Sequence, residues 1–149
     1  MKIDLPALFL SAAGRIGRLR FWIGALALFF LGDSAVSFFR SWFDTDIQPQ
    51  LIDFGITAVL AWPDFCVGRK RLADRGKGIG YALVYTGYGI AAALLAAIFP
   101  FLTEKPDGSL PFNLFWAVYF TMILYFVVEC GILQGAKGPN AYGPEPELP

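Results

Sequence analysis

Four carboxylates stand where a carboxylate is costly. Asp33, Asp53, Asp64 and Glu129 fall inside or at the edges of long apolar stretches of a 149-residue chain. An aspartate at the centre of a membrane-embedded helix costs about 2.5–3.5 kcal/mol on insertion scales, so an interior one needs a reason. Asp33 lies about twelve residues into its stretch, past the middle, and suits either a helix-packing hydrogen bond or a relay of protons or cations. Asp53 is near an end, where it reaches water. Asp64 and Glu129 each come a few residues before the same-side end of their stretches, which predicts a similar depth for both, level with nearby arginines. A carboxylate at that depth is better tolerated when a guanidinium pairs with it. An ion-pair network and a substrate site both answer to this pattern.

The arginines come in a run. Gly68 to Gly80 reads GRKRLADRGKGIG. As a helical extension it sets Asp64, Gly68, Arg71 and Arg75 along one side, with Lys70 and Arg71 four and three residues from Asp74. Arg71 and Arg75 repel unless an acid or an anion lies between them, and an anionic lipid headgroup or phosphate is a suitable anion. Charge that only sets topology is the plainer alternative. The tail Gly138 to Pro146 holds too much Gly and Pro for a helix, yet Asn140 and Tyr142 bring specific hydrogen-bonding capacity. It is expected to fold back onto Arg15, Arg18, Arg71 and Arg75, with Asn140 or Tyr142 bonding the loop and Asp74 pairing with an arginine near the N-terminus.

Other chemistry finds no residues. The chain has no histidine, which removes the commonest general base and metal ligand. No nucleophile elbow, phosphate loop or metal-ligand spacing occurs, so no cofactor and no metal is expected, and the alternating Gly76, Gly78 and Gly80 read as turn residues. Cys66 and Cys130 are expected as buried free thiols on the cytoplasmic side, where a disulfide does not persist.

The elements that must position these groups are membrane spans. Apolar residues make up 56% of the chain and charged ones 16%, with mean hydropathy +0.55, well beyond a soluble domain. Stretches at about 21–39, 51–67, 81–102 and 112–133 are each long enough to cross a hydrocarbon core ~30 Å thick at 1.5 Å per residue. Lys2, Arg15, Arg18 and Arg20 precede the first; Arg69, Lys70, Arg71, Arg75 and Lys77 lie between the second and third; Lys137 follows the fourth. Only Arg40 and Lys105 fall in the other loops, beside Asp44, Asp46, Glu104 and Asp107. This asymmetry places both termini in the cytoplasm. Trp22, Trp42, Trp62, Tyr81 and Trp116 near the stretch ends suit the headgroup layer. Asp4 and Pro6 interrupt the apolar run Leu5 to Leu10, which is read as a retained segment on the membrane surface rather than a signal peptide. Gly89, Ala93 and Ala97 recur every four residues, a seam for intramolecular packing or for a homo-oligomer.

Three motifs in order give the chain a likeness. GRIGRLRFW (14–22), PDFCVGRKRLADRG (63–76) and GPNAYGPEP (138–146) resemble the small bacterial inner-membrane family called domain of unknown function 805. The resemblance marks Gly14, Arg15, Arg18 and Trp22, then Arg71, Leu72 and Asp74, then Asn140, Tyr142, Gly143, Pro144 and Pro146. Lys70 stands where that pattern has Arg, and Ala73 where it has His. It implies a location and an architecture but no activity.

The expectation is therefore a single all-α integral membrane domain over 1–149, a bundle of about four transmembrane helices with a cytoplasmic Arg-rich cap and an irregular tail over 135–149. The leading function is a non-enzymatic interaction or scaffold protein touching anionic membrane lipid or a partner protein, with no role for nucleic acid. A small transporter using Asp33, Asp64 and Glu129 is the alternative, and an enzyme acting on lipid headgroups a third.

Overall fold

The structure, a computed structural model, describes residues 4–43, 48–103 and 110–146. Lys2, Asp44, Asp46, Glu104, Lys105 and Asp107 lie outside the described residues.

Asp4 starts the chain's first helix rather than merely breaking an apolar run. Its carboxylate accepts from the Ala7 N–H at 3.0 Å, capping α1 (Leu5–Leu10), with Pro6 in the first turn where no donor is required. Then follow α2 (Arg18–Trp42), α3 (Pro49–Asp74), α4 (Ile79–Ile98), a 3₁₀ turn (Pro100–Leu102) and α5 (Leu110–Phe126). A π-helical segment (Val127–Ile132) extends α5. Among the described residues there is no strand, only one isolated bridge between Asn140 and Gly143. Four helices are long and apolar enough to cross a membrane, the last counted as Leu110–Ile132. The protein is an all-α, four-span membrane protein.

Helix bounds differ from the apolar stretches for local reasons. Helix α3 runs on through the arginine run to Asp74, because Lys, Arg, Leu and Ala are good helix formers and nothing breaks the segment before Gly76. There the Gly76 N–H meets the Ala73 carbonyl at 3.0 Å and the Lys77 N–H meets Leu72 at 2.8 Å, with Gly76 at φ +73°. This is a Schellman stop, and it needs the left-handed conformation that Gly adopts at least cost. Helix α4 stops at Ile98, short of residue 102, since Phe99 precedes Pro100 and is driven out of the helical region, to φ −124° and ψ 74°.

The packed core sits at one end of the bundle. Leu8, Ile16, Phe21, Val67, Leu72, Ala82, Phe126 and Cys130 form it, all within reach of the helix ends that carry the sequence motifs. Toward the far end the helices present Phe29, Phe30, Val59, Ile98, Leu114 and Phe120 outward, as lipid-facing spans do. Helix α5 meets the bundle mainly through its π-helical end. Of the small-residue stripe, Ala97 is buried within the chain, Ala93 is half-buried, and Gly89 faces open space beside the α2–α3–α4 groove. Cys66 and Cys130 are free and fully buried.

Candidate functional site

A helix end leaves its last carbonyls without intrahelical donors. Here five successive carbonyls, residues 130 to 134, are each met by a side chain from another motif. Arg71 Nε donates to Cys130 O at 2.6 Å and its Nη2 to Leu133 O at 2.5 Å. Trp22 Nε1 donates to Gly131 O at 3.2 Å, Arg18 Nη1 to Ile132 O at 3.2 Å, and Arg75 Nη1 to Gln134 O. The negative end of the last helix is thus held by three guanidinium groups and one indole. Trp22 approaches so closely that a Cβ on Gly131 would lie 2.5 Å from its ring.

Arg15 extends this into the tail. All five of its N–H donors are engaged: two reach Asp74 Oδ1 (3.1 and 3.0 Å), two reach Gly138 O (2.7 Å) and Gly143 O (3.2 Å), and one reaches Ala136 O (2.6 Å). Asp74 Oδ2 accepts from Arg71, so one carboxylate bridges two guanidinium groups whose side chains are each 1% exposed. Two buried cations against one anion would be untenable in a dry interior, and the ring of carbonyl oxygens supplies the missing negative character. Gly135 completes the fit, because any Cβ there would collide with the Asp74 carboxylate. Arg75 Nε pairs with Glu129 Oε1 at 3.2 Å. Asn140 Nδ2 donates to Ala73 O at 2.9 Å, its Oδ1 accepts from the Tyr142 N–H at 2.8 Å, and Arg69 lies 4.7 Å over the Tyr142 ring.

Of the residues singled out from sequence, Arg15, Arg18, Arg71, Asp74, Arg75, Glu129, Asn140 and Tyr142 therefore come together. Asp64 does not, which corrects the expectation of a shared depth with Glu129 among the arginines. Because α3 stays helical to Asp74, Asp64 lies roughly 10 Å below Arg71 along the axis. Two hydroxyls serve it instead, Tyr85 Oη at 2.9 Å and Thr86 Oγ1 at 3.3 Å, both from α4. Asp33 makes no hydrogen bond among the described residues and lines a groove of about 590 Å³ between α2, α3 and α4, together with Asp53 and Asp64. Asp53 pairs with Arg40 at 2.6 Å, with both side chains well exposed.

A family model described as "Protein of unknown function (DUF805)" matches residues 9–144. The chain belongs to that family. The match takes in the first two motifs whole and the third up to Pro144, so in this DUF805 chain the motifs are the three parts of one cap. The chain is similar to the uncharacterized protein YiiR of Escherichia coli (strain K12), 31% identical over 143 residues, covering 89% of this chain and 84% of the relative. The same protein of Escherichia coli O157:H7 matches with the same identity and coverage. No solved structure matches.

Residues without a signature in the sequence also matter in this DUF805 cap. Lys70, 4% exposed, donates from Nζ to Ala7 O and Leu8 O (2.5 and 2.6 Å), tying α1 to α3 through carbonyls at the end of that six-residue helix. Trp62 Nε1 reaches Leu10 O at 3.3 Å. Main-chain acceptors leave no mark in a sequence, although Cys66, Val67 and Ala73, one helical turn either side of Lys70, were a usable sign of burial. Arg20 and Lys137 join Arg18 around a pocket of about 550 Å³, lined also by Glu145 and Pro146.

Proposed function

We propose that this protein is a non-enzymatic interaction or scaffold protein of the bacterial inner membrane, with both termini cytoplasmic, that contacts anionic lipid at its cap. One observation carries the reading. Cations around the cap pocket differ in how they are used: Arg71, in its wall, and the neighbouring Arg15 and Arg75 are engaged by acids and carbonyls inside the chain, whereas Arg18, Arg20 and Lys137 line the same open pocket with few or no such bonds. Arg18 uses a single donor, and Arg20 and Lys137 make no hydrogen bond among the described residues. Arg18 and Arg20 stand at the first turn of a span, the depth at which headgroup phosphates lie. The one acid in that pocket besides the paired Asp74, Glu145, already accepts from the Gly138 N–H at 2.7 Å. Three cations beside engaged acids favour an anion. Native mass spectrometry of the purified protein with phosphatidylglycerol and phosphatidylcholine tests this and also reads the oligomeric state proposed for the Gly89, Ala93, Ala97 stripe. Preferential retention of phosphatidylglycerol, lost in Arg18→Gln/Arg20→Gln/Lys137→Gln, is expected; equal retention of the two lipids refutes the reading.

A second reading rests on the groove. Asp33 and Asp64 line one cavity of about 590 Å³ in the span region together with Asp53, whereas the expected Glu129 is not in its lining and pairs with Arg75; the three aspartates suit movement of protons or cations. In proteoliposomes carrying an internal pH dye, transport predicts a proton flux that Asp33→Asn abolishes while the protein stays folded. A flux unchanged in that variant removes this reading.

A further inference from the structure

The cap pocket has a second cavity below it on the same seam. One wall is α2. Arg18, Trp22, Ala25 and Phe29 follow at steps of four, three and four, so they share one helix face. Arg18 belongs to the cap pocket, and Trp22, Ala25 and Phe29 line a mostly apolar cleft of about 360 Å³, whose floor is Tyr85, Tyr88 and Gly89 of α4 with Asp64 of α3, the last bonded to the Tyr85 hydroxyl. The other wall is the last helix and its continuation. Gln134 to Lys137 border the pocket, and Tyr119, Ile123 and Phe126 border the cleft. The walls touch between the two cavities, where Trp22 donates to Gly131 O and Arg18 to Ile132 O.

We propose that the seam holds one whole phospholipid, with its phosphate in the cap pocket and an acyl chain in the cleft between α2 and α5, passing on the lipid-facing side of the Trp22–Gly131 contact. This rests on the anionic-lipid reading above and adds the hydrocarbon half of the ligand. Depth supports it. From Arg18 to Phe29 is eleven residues, roughly 16 Å of helix, about half of a ~30 Å hydrocarbon core and therefore one leaflet. Packing supports it as well. Helix α5 joins the bundle chiefly through its π-helical end, so the cleft alongside it is backed by Tyr85 and Tyr88 of α4 but left open between α2 and α5. No hydrophobic drive collapses such a cleft in a bilayer, because lipid tails are as apolar as the side chains they would leave. Charge favours one class of lipid: Arg18, Arg20 and Lys137 at the mouth suit a headgroup with net negative charge over one whose phosphate is balanced by its own ammonium. The chain then contributes shape selection, which an interfacial headgroup contact lacks.

The test compares ligands that share a headgroup. The full-length protein in nonionic detergent is titrated by native mass spectrometry with dioleoyl-phosphatidylglycerol, dihexanoyl-phosphatidylglycerol and inorganic phosphate. Ala25→Trp fills the cleft from α2, and Ala27→Trp, on an exposed position outside it, is the control. The dioleoyl lipid is expected to bind the native chain at least tenfold more tightly than the dihexanoyl lipid, and Ala25→Trp to erase that difference while Ala27→Trp keeps it. Equal affinity for the two lipids, or an unchanged preference in Ala25→Trp, overturns the chain-in-cleft proposal and leaves the headgroup reading standing. Equal retention of phosphatidylglycerol and phosphatidylcholine by the native chain, the outcome that refutes the headgroup reading, overturns both. If Ala25→Trp loses its melting transition, Ile123→Trp fills the same cleft from the opposite, more exposed wall and is judged by the same criterion.

Discussion

Asp74 is one carboxylate between two buried guanidinium groups, so its removal does more than delete an ion pair. Arg15 and Arg71 would then face each other without an anion in a site where each side chain is 1% exposed. Breaking a buried pair from one side typically costs 3–5 kcal/mol, and Asp74→Ala is expected to lower stability by about that much. Arg40→Ala removes the pair with Asp53, where side chains are 45% and 40% exposed, and should cost about 0–1 kcal/mol. Unfolding in SDS, followed by tryptophan fluorescence, checks the contrast; equal midpoints for the two variants would contradict the buried network. Gly135→Ala belongs to the same experiment, since its methyl group has to displace the Asp74 carboxylate. It should resemble Asp74→Ala and not an ordinary loop substitution. Arg15→Lys keeps the charge but has three donors for a site that engages five, leaving buried carbonyls unpaired at roughly 1–3 kcal/mol each.

At the scale of elements, the tail acts as a strap. It has no helix, yet Ala136 O, Gly138 O and Gly143 O are Arg15's acceptors and Asn140 fastens it to Ala73 at the end of α3. Truncation after Lys137 removes two of those acceptors and the Asn140 bond together. A clear fall in the detergent melting temperature is expected, and an unaltered value would mean that the tail binds without contributing. Gly76 makes a narrower point. At φ +73° an L-residue incurs a left-handed penalty of about 1–2 kcal/mol, so Gly76→Ala should weaken the turn into α4 by that amount. Gly80, inside α4 with open space where a methyl group would stand, serves as the comparison and should tolerate alanine.

The whole molecule is packed at one end and open at the other. Buried groups gather where the three motifs meet, while the far halves of the helices turn large apolar side chains outward. Such a molecule is expected to loosen from the far end first, so hydrogen exchange should be slowest at residues 66–74 and 126–131 and fastest toward Trp42 and Leu110. Slow exchange spread evenly along the spans would contradict this. Orientation is tested by single cysteines at Gln48 and Ala141, both exposed, while native Cys66 and Cys130 are buried and silent. In spheroplasts an impermeant thiol reagent should label Gln48→Cys, and Ala141→Cys only after lysis. The reverse pattern would invert the proposed topology.

Sequence alone determined what depends on solvent and on chain-local order. Apolar stretches of span length dictate helices in lipid, because no other open structure satisfies the backbone there. The Gly and Pro of residues 138–146 forbid a helix for the tail, and three ordered motifs were enough for the family resemblance. The arginines and Asp74 also stood out, since few charges occur in so apolar a chain. The pairing of Asp74 with an N-terminal arginine and the hold of Asn140 on the loop were legible too, but the main-chain partners were not. Besides their bonds to Asp74 and Glu129, the Arg15, Arg71 and Arg75 side chains end on main-chain carbonyls, as Arg18 does, and a carbonyl looks the same at every position of a sequence. Only the return of residues 130–143 to the end of α3 decides which carbonyls those are. Tertiary structure likewise separated Asp64 from Glu129: the packing of α4 on α3 brings Tyr85 and Thr86 to the first, and the return of the last helix brings the second up to Arg75.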